Sequence, residues 1–444
     1  MIAKCKSMIE IPFTKENFIR AKPYNYIKTN DEVYWGVFSS PDKSLLYLPR
    51  DKIKFTKLFP EFTIKYDTIS PKVDKKISLT GLQLRDYQTK PAKQVKDFWS
   101  KNCNDILLHA ETGFGKSYIV AYFIEKLQLK TTIIVDKTLL AQQMYDEISI
   151  NSDADVGILS KNSELYDVNI TTYQLLIKNK DLLTKLQKST GFLIMDEVHV
   201  AAAQSLVDIT SKFPAKYRLG LSATPTRSDG LTGLIYDLFG RNIVKGNNPD
   251  SLVVHIHKVP IDDIFYSGAT NYKKKLANFL KAQQEYIITL VKKFIRTGRK
   301  ICIATDIQKT QEFYADRLNN IDISTGILNA NTSTKTRDLL LNKFNNEELD
   351  VIIGFGVLEK GISIPRMDTV IHLSGAGTKE KITQLIGRLK REDKRKKLPI
   401  FVDLQFEGNL EKQQNIRNVT YHKLGDAVKV FNIKSFQDYI NKIK

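Results

Sequence analysis

The strongest constraint on the fold is a series of short, continuously apolar, β-branched runs with helical stretches between them. From about residue 81 the runs are "DILLHA" (105–110), "TTIIVD" (131–136), "VNITT" (168–172), "GFLIMD" (191–196) and "YRLGLSA" (217–223). Apolar residues at consecutive positions mark strands covered on both faces, and the intervening helices are the crossovers that parallel pairing needs. The alternation pauses at "RNIVKGNNPDSL" (241–252), whose Gly-Asn-Asn-Pro-Asp reads as a loop. It resumes with a long helix around 271–297, then "KICIATD" (300–306), "ISTGILN" (323–329), "LDVIIGFG" (349–356), "DTVIHLS" (368–374) and "PIFVDL" (399–404). The spacing predicts two successive α/β domains on parallel sheets, at 81–245 and 255–444. No short internal repeat is visible.

Residues 1–80 have another texture. "EVYWGVFSSPDKSLLYLPRDKIKF" (32–55) alternates aromatic and polar residues around a Ser-Ser-Pro-Asp turn, the mark of a β-hairpin, and "FTIKYDTIS" (62–70) suits a third strand. "SPKVDKKIS" (70–78) reads as a linker. The segment carries fifteen Lys/Arg against nine Asp/Glu. It is expected to be a small, mostly β (α+β), basic accessory domain that contacts DNA. Tyr34, Trp35 and Phe38 would either stack on bases or belong to its core.

The formal net charge of the 444 residues is +19. A balance this basic favours a polyanionic partner, nucleic acid or an anionic membrane surface. No run approaches the ~18 apolar residues a membrane helix needs, and the N-terminus has no apolar h-region. Cys5, Cys103 and Cys302 are isolated and odd in number, which argues against a disulfide framework or zinc site and fits a reducing cytoplasm. His255 and His257 have no cysteine nearby, and a metal-ligand role is not expected of them.

"HAETGFGKSY" (109–118) follows one predicted strand and opens a helix, the setting of a phosphate-binding loop. Ala110 stands where the usual pattern has its first glycine. Gly113 and Gly115 would let the backbone wrap phosphates, so that amides from Glu111, Thr112 and Phe114 onward point at them. Lys116 would neutralise the β- and γ-phosphates, and the Ser117 hydroxyl would hold Mg²⁺. About 80 residues on, "LIMDEVHV" (193–200) ends a strand in two carboxylates. Asp196 suits the metal and Glu197 the base that orients and deprotonates water. In "QLIGRLKR" (384–391), Arg388 and Arg391 are spaced i, i+3 and share one helix face. Their guanidinium forks suit one polyphosphate, as an arginine finger does. The wider stretch 379–397 holds nine Lys/Arg against three Asp/Glu, and its end, "EDKRKKL" (392–398), reads as a solvated or DNA-contacting run.

Together these motifs resemble those of a superfamily 2 helicase of the DExH kind, over about residues 81–405. That family's loop reads A-x-T-G-x-G-K-[ST], as residues 110–117 do. "LRDYQ" (84–88) resembles its glutamine motif, with Gln88 reading adenine. "VDKTLLAQQ" (135–143) and "ITTYQLL" (170–176) resemble motifs Ia and Ib. "LSATPTR" (221–227) resembles motif III, "EKGISIP" (359–365) motif V, and "QLIGRLKR" motif VI. The resemblance implies two tandem RecA-like domains, with ATP and Mg²⁺ as cofactors. It implies coupling roles for His199, Ser222, Thr224 and Gln384, and a nucleotide contact at Gly361. Motif V departs from the many relatives that carry aspartate two residues after the glycine, because Ser363 stands there. Nucleic-acid contacts would come from Thr138, Thr172, Arg227, Thr305, Thr325 and Gly326, gripping phosphates without reading bases. Any of these threonines is equally a strand or capping residue.

"GLSATPTRSDG" (220–230) and motif V further resemble phage recombination helicases of the UvsW kind, and more distantly RecG and eukaryotic repair helicases. The expectation is an ATP-dependent DNA helicase or translocase, working as a monomer on forks, recombination intermediates or R-loops, in the host cytoplasm if viral. An RNA helicase is the runner-up. A non-catalytic nucleic-acid clamp and a small-molecule kinase are the alternatives from other classes.

Overall fold

The computed structural model describes residues 1–27, 33–34, 36–81, 83–110, 113–198, 204–223, 231–246, 252–259, 272–329, 331–354, 364–373, 379–390, 395–406, 411–424 and 427–432. The chain divides into two compact units, Met1–Asn248 and Pro249–Lys444.

The first unit begins with a small mixed sheet. Its strands are β1 (Ile2–Cys5), β2 (Ile9–Pro12), β5 (Phe38–Ser39), β6 (Leu45–Leu48) and β7 (Thr63–Tyr66), in the order β5-β6-β2-β1-β7. β3 (Tyr26–Ile27) and β4 (Val33–Tyr34) form a separate antiparallel pair. Alternate residues of β1, β2 and β6 face opposite ways, so Ala3, Cys5, Ile9, Ile11, Leu46 and Leu48 form one buried face. They pack with Ala21 of helix α1 (Lys15–Ala21) and Phe55 of helix α2 (Lys52–Leu58). The expected hairpin is β5–β6, and the expected third strand is β7. The end of the quoted hairpin stretch is instead α2, started by Asp51, whose carboxylate accepts from the Lys54 amide. The stretch at 70–78 is no free linker. The Lys72 backbone bridges Leu129, the Asp74 amide donates to Asp167 at 3.1 Å, and Ile77 is buried.

A seven-stranded parallel sheet follows in the same unit. It contains β8 (Asp105–Ala110), β9 (Thr131–Val135), β10 (Val156–Ile158), β11 (Val168–Thr172), β12 (Phe192–Met195), β13 (Tyr217–Ser222) and β14 (Asn242–Gly246), in the order β10-β11-β9-β12-β13-β8-β14. The five strands expected from apolar runs are all present. β10 and β14 are additions; β14 occupies the start of the stretch where the alternation was expected to pause, while Asn247–Asp250, most of the segment read as loop, lie outside the described residues. β14 lies at an edge and alternates buried with exposed residues, so it lacks the continuous apolar signature of its neighbours.

The second unit carries another seven-stranded parallel sheet, of β15 (Val253–Val259), β16 (Ile301–Ala304), β17 (Thr325–Ile327), β18 (Val351–Ile353), β19 (Thr369–His372), β20 (Ile400–Phe406) and β21 (Ala427–Asn432), in the order β17-β18-β16-β19-β20-β15-β21. Counted from its own first strand, each sheet has the same order. The two α/β halves are therefore one topology used twice, which the sequence did not reveal as a repeat. The helix expected around 271–297 is two helices, Tyr272–Ala282 and Gln284–Arg296.

Charged side chains fasten the small sheet to the feet of three adjacent strands of the first large sheet. Arg50 donates to the carbonyls of Ala215 (2.8 Å) and Lys6 (3.2 Å), and its Nε lies 3.2 Å from Asp105 at the start of β8. Arg218, near the foot of β13, donates to the Ser7 carbonyl at 2.7 Å and lies 3.6 Å from Asp105. Arg241, just before β14, donates to Asp51 at 2.6 Å, and Lys54 pairs with Asp237 at 3.0 Å. Arg50, Asp51, Asp105, Arg218 and Asp237 are all buried. Burial, and then the neighbouring Arg50 charge, pull Arg218 down to about 9. Asp105 is thus the carboxylate that makes two buried arginines tolerable. Asp105→Ala should cost about 3–5 kcal/mol, because removing one partner of a buried ion pair strands the other. Denaturant unfolding of the full chain measures it, and Asp105→Asn should cost less.

Candidate active site

The phosphate-type loop leaves the head of β8. Ala110 is still strand, paired with Gly246 of β14, and fully buried. An extended residue needs no positive φ, so nothing at this position calls for glycine. Glycine is needed further on, where Gly113 has φ +87° and Gly115 has φ +78°. Between them Phe114 turns into the core, 5.5 Å from Tyr87 and over Gly246, where a Cβ would come within 2.6 Å of its ring. Gly115 caps helix α4 (Lys116–Leu127), in which Lys116 and Ser117 are the first residues. Glu111 and Thr112 lie outside the described residues.

Gln88, on helix α3 (Asp86–Ser100), is fully buried beneath this loop. Its Nε2 donates to the carbonyls of Phe114 (2.7 Å) and Gly115 (3.3 Å), and its Oε1 accepts from the Arg85 amide (3.0 Å). In this arrangement the carboxamide braces the loop. Reading adenine, the role expected of it, requires it to release part of that brace. Arg85 donates to the Tyr87 hydroxyl at 2.7 Å and lies 5.4 Å over the Tyr118 ring.

The two carboxylates arrive from β12, the next strand but one. The Asp196 amide donates to Ile134 and the Val198 amide to Leu221, both at 3.0 Å, so neighbouring strands pin the residues on either side of Glu197. Glu197 itself sits at φ +49°, and its amide donates to the Asp196 carboxylate at 3.0 Å. Such a backbone costs a non-glycine residue on the order of 1–3 kcal/mol and persists only where its surroundings over-determine it. Lys116 Nζ lies 2.7 Å from Glu197 and 3.8 Å from Asp196. Burial pushes Asp196 up to about 6, against the pull of Lys116 and with the push of Glu197.

Ser222 is fully buried at the head of β13, opposite His109 of β8. His109 donates from Nε2 to the Ala223 carbonyl at 3.1 Å, tying the strand before the loop to the segment after β13. It stands outside every spacing pattern, so nothing in the sequence singles it out. His199, Thr224 and Arg227 lie outside the described residues.

In the second unit Gln384 and Arg388 lie one turn apart on the helix Lys379–Leu389, Gln384 half-buried and Arg388 only 5% exposed. Arg391, Gly361 and Ser363 lie outside the described residues, as do Trp35 and the side chain of Tyr34. The expected nucleic-acid contacts divide. Thr138 is exposed at the start of helix α5 (Thr138–Asn151). Thr172 accepts from the Leu175 amide as a helix cap. Thr305 is fully buried and accepts from the Ile307 amide at 3.4 Å, so its hydroxyl cannot reach a phosphate as expected. Thr325 donates to the Ile323 carbonyl at 2.9 Å. Gly326 faces Leu340, where a Cβ would meet it at 2.9 Å, and close packing accounts for this glycine without a strand contact.

The family described as "Type III restriction enzyme, res subunit" matches residues 81–227, and that described as "Helicase conserved C-terminal domain" matches residues 282–393. The chain is a superfamily 2 helicase. A protein of Escherichia phage T5 named as a helicase is 27% identical over 316 residues, covering 69% of each chain. The DNA 3'-5' translocase XPB2 of Sulfurisphaera tokodaii is 24% identical over 374 residues, covering 74% of this chain and 83% of that one. A protein of Acanthamoeba polyphaga mimivirus named as an ATP-dependent RNA helicase is 25% identical over 335 residues, covering 70% of this chain and 62% of that one. Among solved structures, yeast Dbp5 bound to RNA and ADP-BeF3 has the same fold, with a TM-score of 0.53 at 15% identity over 82% of this chain and 97% of that one.

Gly115→Ala should strain the loop by about 1–2 kcal/mol. It should also displace Gln88 Nε2, which lies 2.5 Å from the new Cβ position. Titration with a fluorescent ATP analogue should show weakened binding. Gly298→Ala is the control: it has φ +71° but only a lysine side chain within 4 Å, and should lower stability alone.

Proposed function

We propose that the chain is an ATP-driven motor that remodels branched DNA, such as forks, Holliday junctions and R-loops, in replication, recombination or repair. The observation that carries the ATPase half is the meeting of Lys116, Asp196 and Glu197 at the heads of parallel strands, beside a glycine-bearing loop. A dead clamp has no need to hold a lysine and two carboxylates together at the cost of a left-handed Glu197. A small-molecule kinase has no need of the C-terminal helicase domain. The preference for DNA draws on the XPB2-type relative, and that for branched DNA on the resemblance of 220–230 to recombination helicases. The mimivirus relative keeps RNA as the second reading.

The donor set fits a nucleotide with Mg²⁺. Asp196 and the Ser117 hydroxyl are hard oxygen ligands, and the pocket already places one positive charge, the Lys116 ammonium, against both carboxylates. Bound Mg²⁺ would neutralise phosphate oxygens. Lys116 would exchange its carboxylate partners for the β- and γ-phosphates. Glu197, so released, would orient the attacking water and take its proton. Asp196 would stay on the metal side. Arg388 is proposed to meet charge developing on the transferred phosphoryl group, with Arg391 beside it. Residues 81–245 and 255–444 are proposed as the two motor domains, and 1–80 as an accessory domain.

Lys116→Ala should abolish hydrolysis while DNA binding survives, as read by phosphate release and by filter binding. Arg388→Ala should lower turnover about 10³-fold or more, and an unchanged rate in folded protein would remove it from the mechanism. Unwinding of forks, four-way junctions, linear duplexes and RNA–DNA hybrids should be compared side by side, with ATPase rates. Stimulation by RNA alone would favour the second reading, and stimulation by no nucleic acid would exclude a motor.

A further inference from the structure

The small N-terminal sheet has a buried face and an open one. The pairing register places one row of side chains across the open face. Phe38 pairs with Tyr47, Tyr47 with Glu10, Glu10 with Lys4, and Lys4 with Lys65. Paired residues share a face, so the row reads aromatic, aromatic, acid, lysine, lysine. Lys4 and Lys65 are exposed, and Phe38, Tyr47 and Glu10 are half-buried. In the next row Ile2, 67% exposed, stands beside Thr63 and ahead of Pro12 and Leu45. The two helices of this module contribute to the opposite face. The motor sheet is held at Ser7, Arg50, Asp51 and Lys54. Among the described residues, these contacts all lie away from this row.

We infer that the open face of the N-terminal sheet is a platform for single-stranded nucleic acid, with Tyr47 and Phe38 stacking on bases and Lys4 and Lys65 holding phosphates. The proposal rests on the chain being a nucleic-acid motor. Strands lie about 4.8 Å apart, so Lys4 stands about 10 Å from Tyr47 and Lys65 about 14 Å. Lysine reach makes that span fit a base and its flanking phosphates. Glu10, between the aromatics and the lysines, would repel a phosphate but accepts from base amino groups, as carboxylates do from cytosine N4. It therefore fixes which end of the nucleotide lies where. The module's excess of fifteen Lys/Arg over nine Asp/Glu in residues 1–80 supports a polyanion. A protein-docking patch would instead deplete lysine from its centre. The buried charges at the strand feet make this platform rigid with the unit that holds the ATP loop.

The test uses the full chain and fluorescent 20-nucleotide DNA and RNA single strands, with a blunt DNA duplex alongside. Tyr47→Ala should weaken single-strand binding about 5- to 150-fold, leave duplex binding unchanged, and be largely rescued by Tyr47→Phe. The double variant Lys4→Ala, Lys65→Ala should flatten the salt dependence of single-strand binding by about 1.4 in log–log slope, about 0.7 for each phosphate released. Glu10→Gln should alter the preference between oligo-dC and oligo-dT. Thermal unfolding confirms that each variant is folded. Unchanged single-strand affinity and slope in the folded variants would overturn the platform and leave the face to a protein partner. Stronger loss on DNA than on RNA, or the reverse, identifies the strand it serves. ATPase stimulation at saturating DNA should persist in these variants. A wild type that no nucleic acid stimulates overturns the motor itself, whereas stimulated variants with unaltered binding overturn only the platform.

Discussion

Parallel pairing makes every strand of a sheet end on one edge, and the rest of the first unit follows from that. Ala110, Asp196, Ser222 and Gly246 come from distant parts of the chain, yet all stand at or just beyond strand heads of one sheet. The phosphate loop and the paired carboxylates meet there because β8 and β12 are separated by a single strand, β13. The opposite edge has the complementary task. Its strand feet carry Asp105, Arg218 and Arg241, and the N-terminal module seals them with charge. One edge of the sheet is kept for chemistry and the other for attachment.

Much of this was legible in the sequence, and for a physical reason. Central parallel strands are buried on both faces, so each shows as an unbroken apolar run. β14 and β21 are edges and lack that signature. β15 is internal but carries His255 and His257, whose polarity hides it. The fold accepts them because Tyr286 meets His257 at 2.7 Å and Phe431 packs against both rings. The candidate motifs were readable because the chemistry proposed for them dictates residue type and spacing. Their supports were not. His109 against Ala223 and Arg50 against Asp105 are joined by folding alone and leave no spacing signature, and Gln88, singled out for adenine, braces the loop in this structure. Burial likewise decides Thr305 and Gly326, and sequence does not state burial.

The shared strand order of the two large sheets shows how topology and chemistry separate. Right-handed crossovers and strand adjacency leave few orders open to a parallel sheet, so one arrangement recurs without a recognisable sequence repeat. What distinguishes the halves is the residues set at the strand heads. The first half ends β8 and β12 in a phosphate loop and carboxylates. The second half presents Gln384 and Arg388 from a helix instead.

Glu197 shows what such placement does to evolution. Its left-handed backbone would suit glycine or asparagine better than glutamate. Substitutions that relax the turn would raise stability and, on the proposed mechanism, remove the base, so they would be selectively closed even though they are thermodynamically downhill. A chain under selection for turnover is thereby held away from its own most stable sequence at this position, and drift toward a firmer fold here would register as loss of the motor.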